Sequence, residues 1–344
     1  MPLDLIALGE TMLALAPPAG QSLRAASQLL VDHAGAESNT CVGLARLGFH
    51  VAWVSRLGAD AAGDRILDAL RAEGPGRIDT QWVRRDPDRP TGLMIKHPAE
   101  HPAPHPAPHP APGTPHGTRH QAPGTRHPAP HTARSVRYYR TGSAASAMTP
   151  DDLGDVPVAD ARAVLVTGVT ALIGPGPQAT ALALLSRAHG LRIVDPNLRA
   201  GLWGSDRRAE LVRPLIDRCD LLLTGGPELA ELYGDGDPRT LAGRVASRGV
   251  REVVVRDAAA VAALAGSEWY TLDITRDSAV DPIGAGDAFN AGYIAVRLRG
   301  GTIDDALRAG ARCGAAVTRA VSDTAAFPRS IDTKDTKDTK KKPV

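Results

Sequence analysis

Asp281-Pro282-Ile283-Gly284-Ala285-Gly286-Asp287-Ala288-Phe289 is a turn of small residues that runs into a helical pattern, and its reading decides the fold. Gly284 and Gly286 let a ligand approach the backbone closely. The free N–H groups of a helix start, with the positive end of the helix dipole, suit a phosphate or a developing negative charge. The spacing puts Asp287 in the first helical turn, where the dipole favours the ionised carboxylate. Such a carboxylate is a weak base, which suffices for phosphoryl transfer: the nucleophile loses its proton late, and alignment and charge neutralisation carry most of the acceleration. The bland reading is an ordinary strand-to-helix connection in which Asp287 only favours the dipole. No Gly-Lys-Ser/Thr follows, so this is not a Walker A loop, and with the third glycine missing it is not a dinucleotide fingerprint.

Outward from this turn, short apolar runs alternate with amphipathic stretches. Leu5 to Leu8, Val51 to Val54, Val164 to Val166, Arg192 to Asp195, Leu221 to Thr224 and Val253 to Val255 read as strands. Apolar spacing near 3.6 residues predicts helices over Ser38 to Leu47, Ala61 to Ala72, Gln178 to Ala188, Arg207 to Arg218, Asp287 to Leu298 and Ile303 to Thr318. This alternation predicts an α/β fold, a doubly wound sheet flanked by helices, with ligands beyond the carboxyl ends of the strands. Leu13 to Val31, Thr91 to Lys96 and Ser135 to Thr141 read as segments of a small β lid.

Two segments stand apart from the predicted α/β unit of residues 1–330. Residues 97–133 repeat HPAP and GTRH and hold eight of the 11 histidines. Their prolines remove backbone donors and large apolar side chains are almost absent, so a disordered, partly polyproline II insert is expected, with adventitious metal binding as the minor alternative. Residues 331–344 carry Asp-Thr-Lys repeats into a lysine cluster and read as a disordered charged tail.

The chain has 344 residues, with 40 Lys and Arg against 38 Asp and Glu. No basic stripe with interleaved aromatics announces nucleic acid, and no run approaches the ~18 apolar residues of a membrane span. A small-molecule partner and a cytoplasmic location are the expectation. Cys41, Cys219 and Cys313 lie far apart without CxxC spacing, so neither a zinc site nor a disulfide framework is predicted.

DPIGAGDAFNAG resembles the C-terminal signature of ribokinase-like carbohydrate kinases, and Ala34-Gly35-Ala36-Glu37-Ser38-Asn39 followed by GLARLG resembles their N-terminal one. Within that family, AGAESN, YYRTGSAAS and DPNLRAGLW are most similar to 2-keto-3-deoxygluconate kinases. The resemblance implies Mg·ATP-dependent phosphorylation of a sugar, with Asp287 as base and Gly284, Ala285 and Gly286 forming the anion-binding turn. It implies that Gly35 and Asn39 touch sugar hydroxyls, and that Tyr138, Arg140 and Arg199 face the substrate, beneath a closing loop that carries Asp323. Asn197, Arg199, Thr224 and Arg256 would line the nucleotide site, and Glu228 would reach Mg²⁺ through water. Two arginines suit a substrate carboxylate; the structural alternatives are surface arginines and, for Tyr138, an ordinary strand residue.

The pattern departs at Gly225, where the family's NxxE motif begins with Asn. It departs again at Arg256-Asp257-Ala258-Ala259-Ala260-Val261, where Lys-x-Gly and a further glycine are usual. Met94 stands at a position usually aromatic in acid-sugar kinases. Competing readings are therefore a kinase for fructose, ribose or a nucleoside, and a sugar-acid sensor with weakened ATP use. Exposed lid edges suggest a homo-oligomer.

Overall fold

The short apolar runs become strands because their side chains alternate between two covered faces. In Leu5–Leu8 (β1), Leu5 and Ala7 join one apolar cluster while Ile6 and Leu8 join another. The structure, a computed structural model, describes residues 2–18, 21–73, 77–97, 135–198, 207–257, 259–274, 284–318, 324 and 326–329. The expected insert, apart from His97, and the expected tail lie outside these residues.

After β1 come β2 (Met12–Ala16), β3 (Leu30–Ala34), α1 (Ala36–Arg46), β4 (Val51–Gly58), α2 (Ala61–Ala72), β5 (Ile78–Asp79), β6 (Val83–Asp86), β7 (Leu93–His97) and β8 (Ser135–Tyr139). Then follow β9 (Ala163–Thr167), α3 (Gly168–Ala171), α4 (Pro175–Arg187), β10 (Leu191–Asp195), α5 (Arg208–Ile216), β11 (Leu221–Gly225), α6 (Gly226–Tyr233) and α7 (Pro238–Ala246). The chain continues through β12 (Glu252–Arg256), β13 (Ala260–Ala265), β14 (Glu268–Asp273), α8 (Ala285–Leu298) and α9 (Ile303–Val317).

The large sheet runs β14-β13-β12-β11-β10-β9-β1-β4-β5, with β6 also paired to β4. From β12 to β5 every pairing is parallel, and β13 and β14 complete one edge antiparallel. Helices α1, α2, α8 and α9 supply the apolar cluster on one face and α4, α5, α6 and α7 that on the other. The doubly wound sheet expected from the alternation is thus the observed one. The chain winds outward from β1 in both directions, so the switch point of the topology lies between β1 and β9. A separate four-stranded sheet, β3-β2-β7-β8, closes over its own small cluster of Met12, Ala14, Ala34 and Met94.

The observed strands extend past the apolar runs by up to four residues, because Ser55 to Gly58 of β4 pair with β6 and the polar ends at Thr167, Gly225 and Arg256 still pair. Helices α1 and α4 begin two and three residues earlier than the periodicity predicts; the first turn of α4 starts on Pro175, whose missing N–H costs nothing there. The loop expected over Arg256 to Val261 is shorter than the sequence suggested. Arg256 ends β12, Ala260 already begins β13, and a hairpin contact from Asp257 N to Ala260 O at 2.9 Å closes the turn. Among the described residues no helix is long and apolar enough to cross a membrane.

One buried polar contact fixes α8 against the sheet. The Tyr293 hydroxyl donates to Glu252 Oε1 on β12 at 2.7 Å, and Arg297 Nη2 pairs with Glu252 Oε2 at 2.9 Å. Tyr293→Phe leaves Glu252 with its arginine but without this donor. A stability loss of about 1–3 kcal/mol is expected in denaturant unfolding; an unchanged midpoint would remove this contact from the account of how α8 is held.

Candidate active site

Helix α8 opens on Gly284, whose φ of 83° is left-handed backbone that suits glycine. Gly284, the cap of this helix, has no side chain to bond the first-turn N–H groups, and such N–H groups at a helix start suit an anionic ligand. Asp287 sits in that first turn, buried, and its Oδ2 accepts a hydrogen bond from Asn39 Nδ2 at 2.8 Å. The Asn39 amide therefore faces the predicted base, and its Oδ1 is buried without a hydrogen-bond partner among the described residues.

Beside α8 the carboxyl ends of β10, β11 and β12 bring carboxylates and one guanidinium together. Asp195 Oδ2 accepts from Asn290 Nδ2 at 2.7 Å and from Arg256 Nη2 at 3.0 Å, while its Oδ1 accepts from Asn197 N at 2.9 Å. Asn197 has φ 39°, the left-handed backbone that asparagine tolerates better than most residues, and its buried Oδ1 is without a partner among the described residues. Glu228 Oε1 accepts from Leu198 N and Oε2 from Gly225 N, both at 2.8 Å, so this carboxylate staples the end of β10 to the start of α6. Burial pushes the Glu228 pKa up and the nearby Asp195 charge adds to it, while Arg256 and the two N–H donors pull it back. Burial works against the Arg256 charge, but Asp195, Glu228 and Asp287 more than offset this and hold its pKa above the ordinary arginine value. Thr224 contributes its carbonyl to Arg256 and its hydroxyl approaches Glu228 at 3.5 Å. Asp257 leans on Gly226, the first residue of α6, where the helix dipole favours a carboxylate.

A second polar group lies where the small sheet meets the large one. Glu10, buried at the end of β1, accepts from Ser143 Oγ at 2.8 Å and pairs with Arg140 Nε at 3.2 Å. Arg140 also lies 4.6 Å over the Tyr138 ring and 3.1 Å from Met12 Sδ, yet its buried Nη1 has no hydrogen-bond partner among the described residues. Gly35, the residue before α1, packs on the Glu10 carbonyl so closely that a Cβ there would come within 2.4 Å. One turn further along α1 stands Asn39, so this helix start links the Arg140 group to Asp287.

Of the residues expected from sequence, the structure gathers Gly284, Ala285, Gly286, Asp287, Asn39, Asn197, Thr224, Glu228 and Arg256 around α8 and the strand ends. Gly35, Tyr138 and Arg140 gather around Glu10. Arg199 and Asp323 lie outside the described residues. Sequence reasoning missed Glu10, Asp195 and Asn290. The first two stand at the carboxyl ends of predicted strands, a positional signal that could have found them.

Glu37 was missed as well. It fills the switch point between β1 and β9, where Gly9 leaves room for its carboxyl group, and its Oε1 accepts from Thr167 N, Thr167 Oγ1 and Thr170 Oγ1 at 3.1, 2.8 and 2.7 Å.

A family model for the pfkB family carbohydrate kinases matches residues 3–101 and 129–329, across both polar groups. The chain belongs to this family. Among curated relatives of this pfkB family kinase, a 2-dehydro-3-deoxygalactonokinase from Haloferax volcanii is 30% identical over 92% of the chain and 91% of the relative. A 2-dehydro-3-deoxygluconokinase from Bacillus subtilis is 29% identical over 95% and 93%. Among solved structures, a PfkB protein from Polaromonas sp. JS666 aligns with a TM-score of 0.74 at 30% identity, covering 94% of this chain and 98% of that one. A putative ribokinase II from E. coli in complex with ATP and Mg²⁺ shares the fold at a TM-score of 0.79 and 17% identity, over 95% and 96%. No three His, Cys, Asp or Glu side chains among the described residues group as a direct metal cage in this pfkB kinase.

Burial pushes the Glu37 pKa above the ordinary value of 4.5, and the threonine hydrogen bonds recover only part of the shift. The folded state then binds this proton more tightly than the unfolded chain, so stability falls as pH rises from that value upward. Glu37→Gln retains the acceptor and removes the charge. Its melting temperature relative to the parent should climb as pH rises above 4.5; a difference that stays flat as pH rises would mean that the carboxylate is fully compensated.

Proposed function

We propose that this carbohydrate kinase transfers the γ-phosphoryl group of Mg·ATP to the terminal hydroxyl of 2-keto-3-deoxygluconate, also called 2-dehydro-3-deoxygluconate, giving the 6-phosphate. The acid-sugar reading rests on Arg140. A buried guanidinium N–H left unsatisfied within the protein is costly, and a substrate carboxylate supplies the acceptor it lacks. The names carried by the relatives from Haloferax volcanii and Bacillus subtilis favour the same substrate class.

The glycine start of α8 fits a phosphate, and Asn197 Oδ1, without a partner among the described residues and beside Asp195 and Glu228, fits the hydrated side of a divalent ion. Bound Mg·ATP supplies the phosphoryl group and neutralises part of its charge. Everything else falls to the chain. Asn39 holds one oxygen of Asp287, and the carboxylate accepts the proton of the sugar hydroxyl. The N–H groups of Gly284 to Asp287 meet charge that develops on the transferring group. Gly35 and Tyr138 frame the sugar, with Arg199 and Asp323 added on the strength of the sequence alone. Glu228 would hold the ion through water, and the small sheet acts as a lid that excludes competing water. Thr224 lines the nucleotide side.

An ADP-release assay across 2-keto-3-deoxygluconate, its galacto epimer, fructose, ribose and adenosine tests this reading. The acid sugar should turn over fastest, and Asp287→Asn should lower kcat about 10²- to 10⁴-fold with little change in either KM. Preference for a neutral sugar would sink the substrate assignment and leave the kinase chemistry standing.

Arg140→Lys keeps a cation for Glu10 but loses the planar fork. The KM for the acid sugar should rise about 10-fold or more, corresponding to one charge-assisted hydrogen bond, with the KM for ATP unmoved. Equal losses for acid and neutral sugars would show that Arg140 serves the fold and not the carboxylate.

A further inference from the structure

We infer that Arg256 is a positioning residue, which aims the anion-binding turn and the base by clamping the first turn of α8 to the end of β10; this rests on the proposed kinase reaction at Asp287. An arginine offers five N–H donors in a fixed plane and no acceptor. All five are engaged within the protein. Nε donates to Thr224 O at 3.4 Å. Nη1 donates to Gly286 O at 3.1 Å and to Asn290 Oδ1 at 2.8 Å. Nη2 donates to Asp195 Oδ2 at 3.0 Å and to Leu223 O at 3.4 Å. No donor is left over for a triphosphate, although sequence reasoning put Arg256 among the nucleotide ligands.

The contact with Gly286 carries the mechanism. The peptide joining Gly286 to Asp287 is planar and trans, so its C=O and N–H point in opposite directions. Fixing the Gly286 oxygen on the guanidinium therefore fixes the direction of the Asp287 N–H, and with it the backbone that carries the base. On its other side the guanidinium holds Asp195, which also accepts from Asn290 on α8. The clamp thus closes a ring of hydrogen bonds through Arg256, Asp195 and Asn290, joining β12, β10 and α8. A lysine has three donors at one point and cannot span carbonyl, amide and carboxylate together. The hairpin that follows Arg256 presents little chain for wrapping a nucleotide, which leaves alignment at α8 as the task of this residue.

The test compares Arg256→Lys, Asn290→Ala and the double variant with the parent, using the sugar that the parent phosphorylates fastest and varying ATP. Arg256→Lys should keep the melting transition cooperative and lower kcat about 10- to 100-fold, as expected when reacting groups shift by about 1 Å, while the KM for ATP changes less than about 2-fold. Because both residues belong to one ring, the double variant should lose less than the product of the two single losses. A raised KM for ATP with unchanged kcat would overturn the inference, since Arg256 would then be a nucleotide contact. So would a lowered melting temperature with intact kinetics. If the parent phosphorylates no sugar, the proposed function falls and this inference falls with it, an outcome distinct from a failed variant in an active parent.

Discussion

A partly buried guanidinium held among carboxylates is the constraint on which the site depends. Arg256 lies with Asp195, Glu228 and Asp287 in its field, carboxylates that would repel one another without it. A parallel sheet makes this crowding unavoidable: every strand from β10 to β12 delivers its carboxyl end to the same edge, and polar residues at those ends must share one small volume. The charge that relieves the repulsion also anchors α8, so the electrostatics of the strand ends and the aim of the helix start are one arrangement.

Glu37 has a comparable place on the other flank. The sheet winds outward from β1 in both directions, leaving a crevice between β1 and β9 over which α1 packs. A carboxyl group whose hydrogen bonds come from Thr167 and Thr170 fills that crevice from α1, the helix that also carries Asn39. The start of α1 is therefore fixed at three points: Gly35 against the Glu10 carbonyl, Glu37 in the crevice and Asn39 on the base.

How much of this could be read beforehand follows from how local each signal is. The turn before α8 is legible because glycines and a helix start act within a few residues, and the central strands are legible because both their faces are apolar. Strand β13 was invisible: its six residues include four alanines, which carry no β-branched signature, and it exists because β12 and β14 pair with it. Helix α6 was hidden by its brevity. The role of Arg256 could not be read at all, since two of its partners lie 30 and 61 residues away. Asn39 was singled out, but as a sugar contact; its bond to Asp287 spans 248 positions. Glu10 and Glu37 look like ordinary solvated acids until burial is known.

Strands β7 and β8 end and begin on directly paired residues, His97 opposite Ser135. The chain leaves the small sheet and returns to it across one strand spacing, about 5 Å. Whatever connects these two points is tethered at a single rung of the ladder. Closing such a connection costs only about 0.6 kcal/mol more for each doubling of its length. Selection can therefore lengthen, shorten or rewrite the segment in this position without moving the register of the sheet beneath it. The same rung is a natural port for engineering: a tag, a reporter domain or a plain two-residue turn placed there would begin and end where the fold already brings the backbone together.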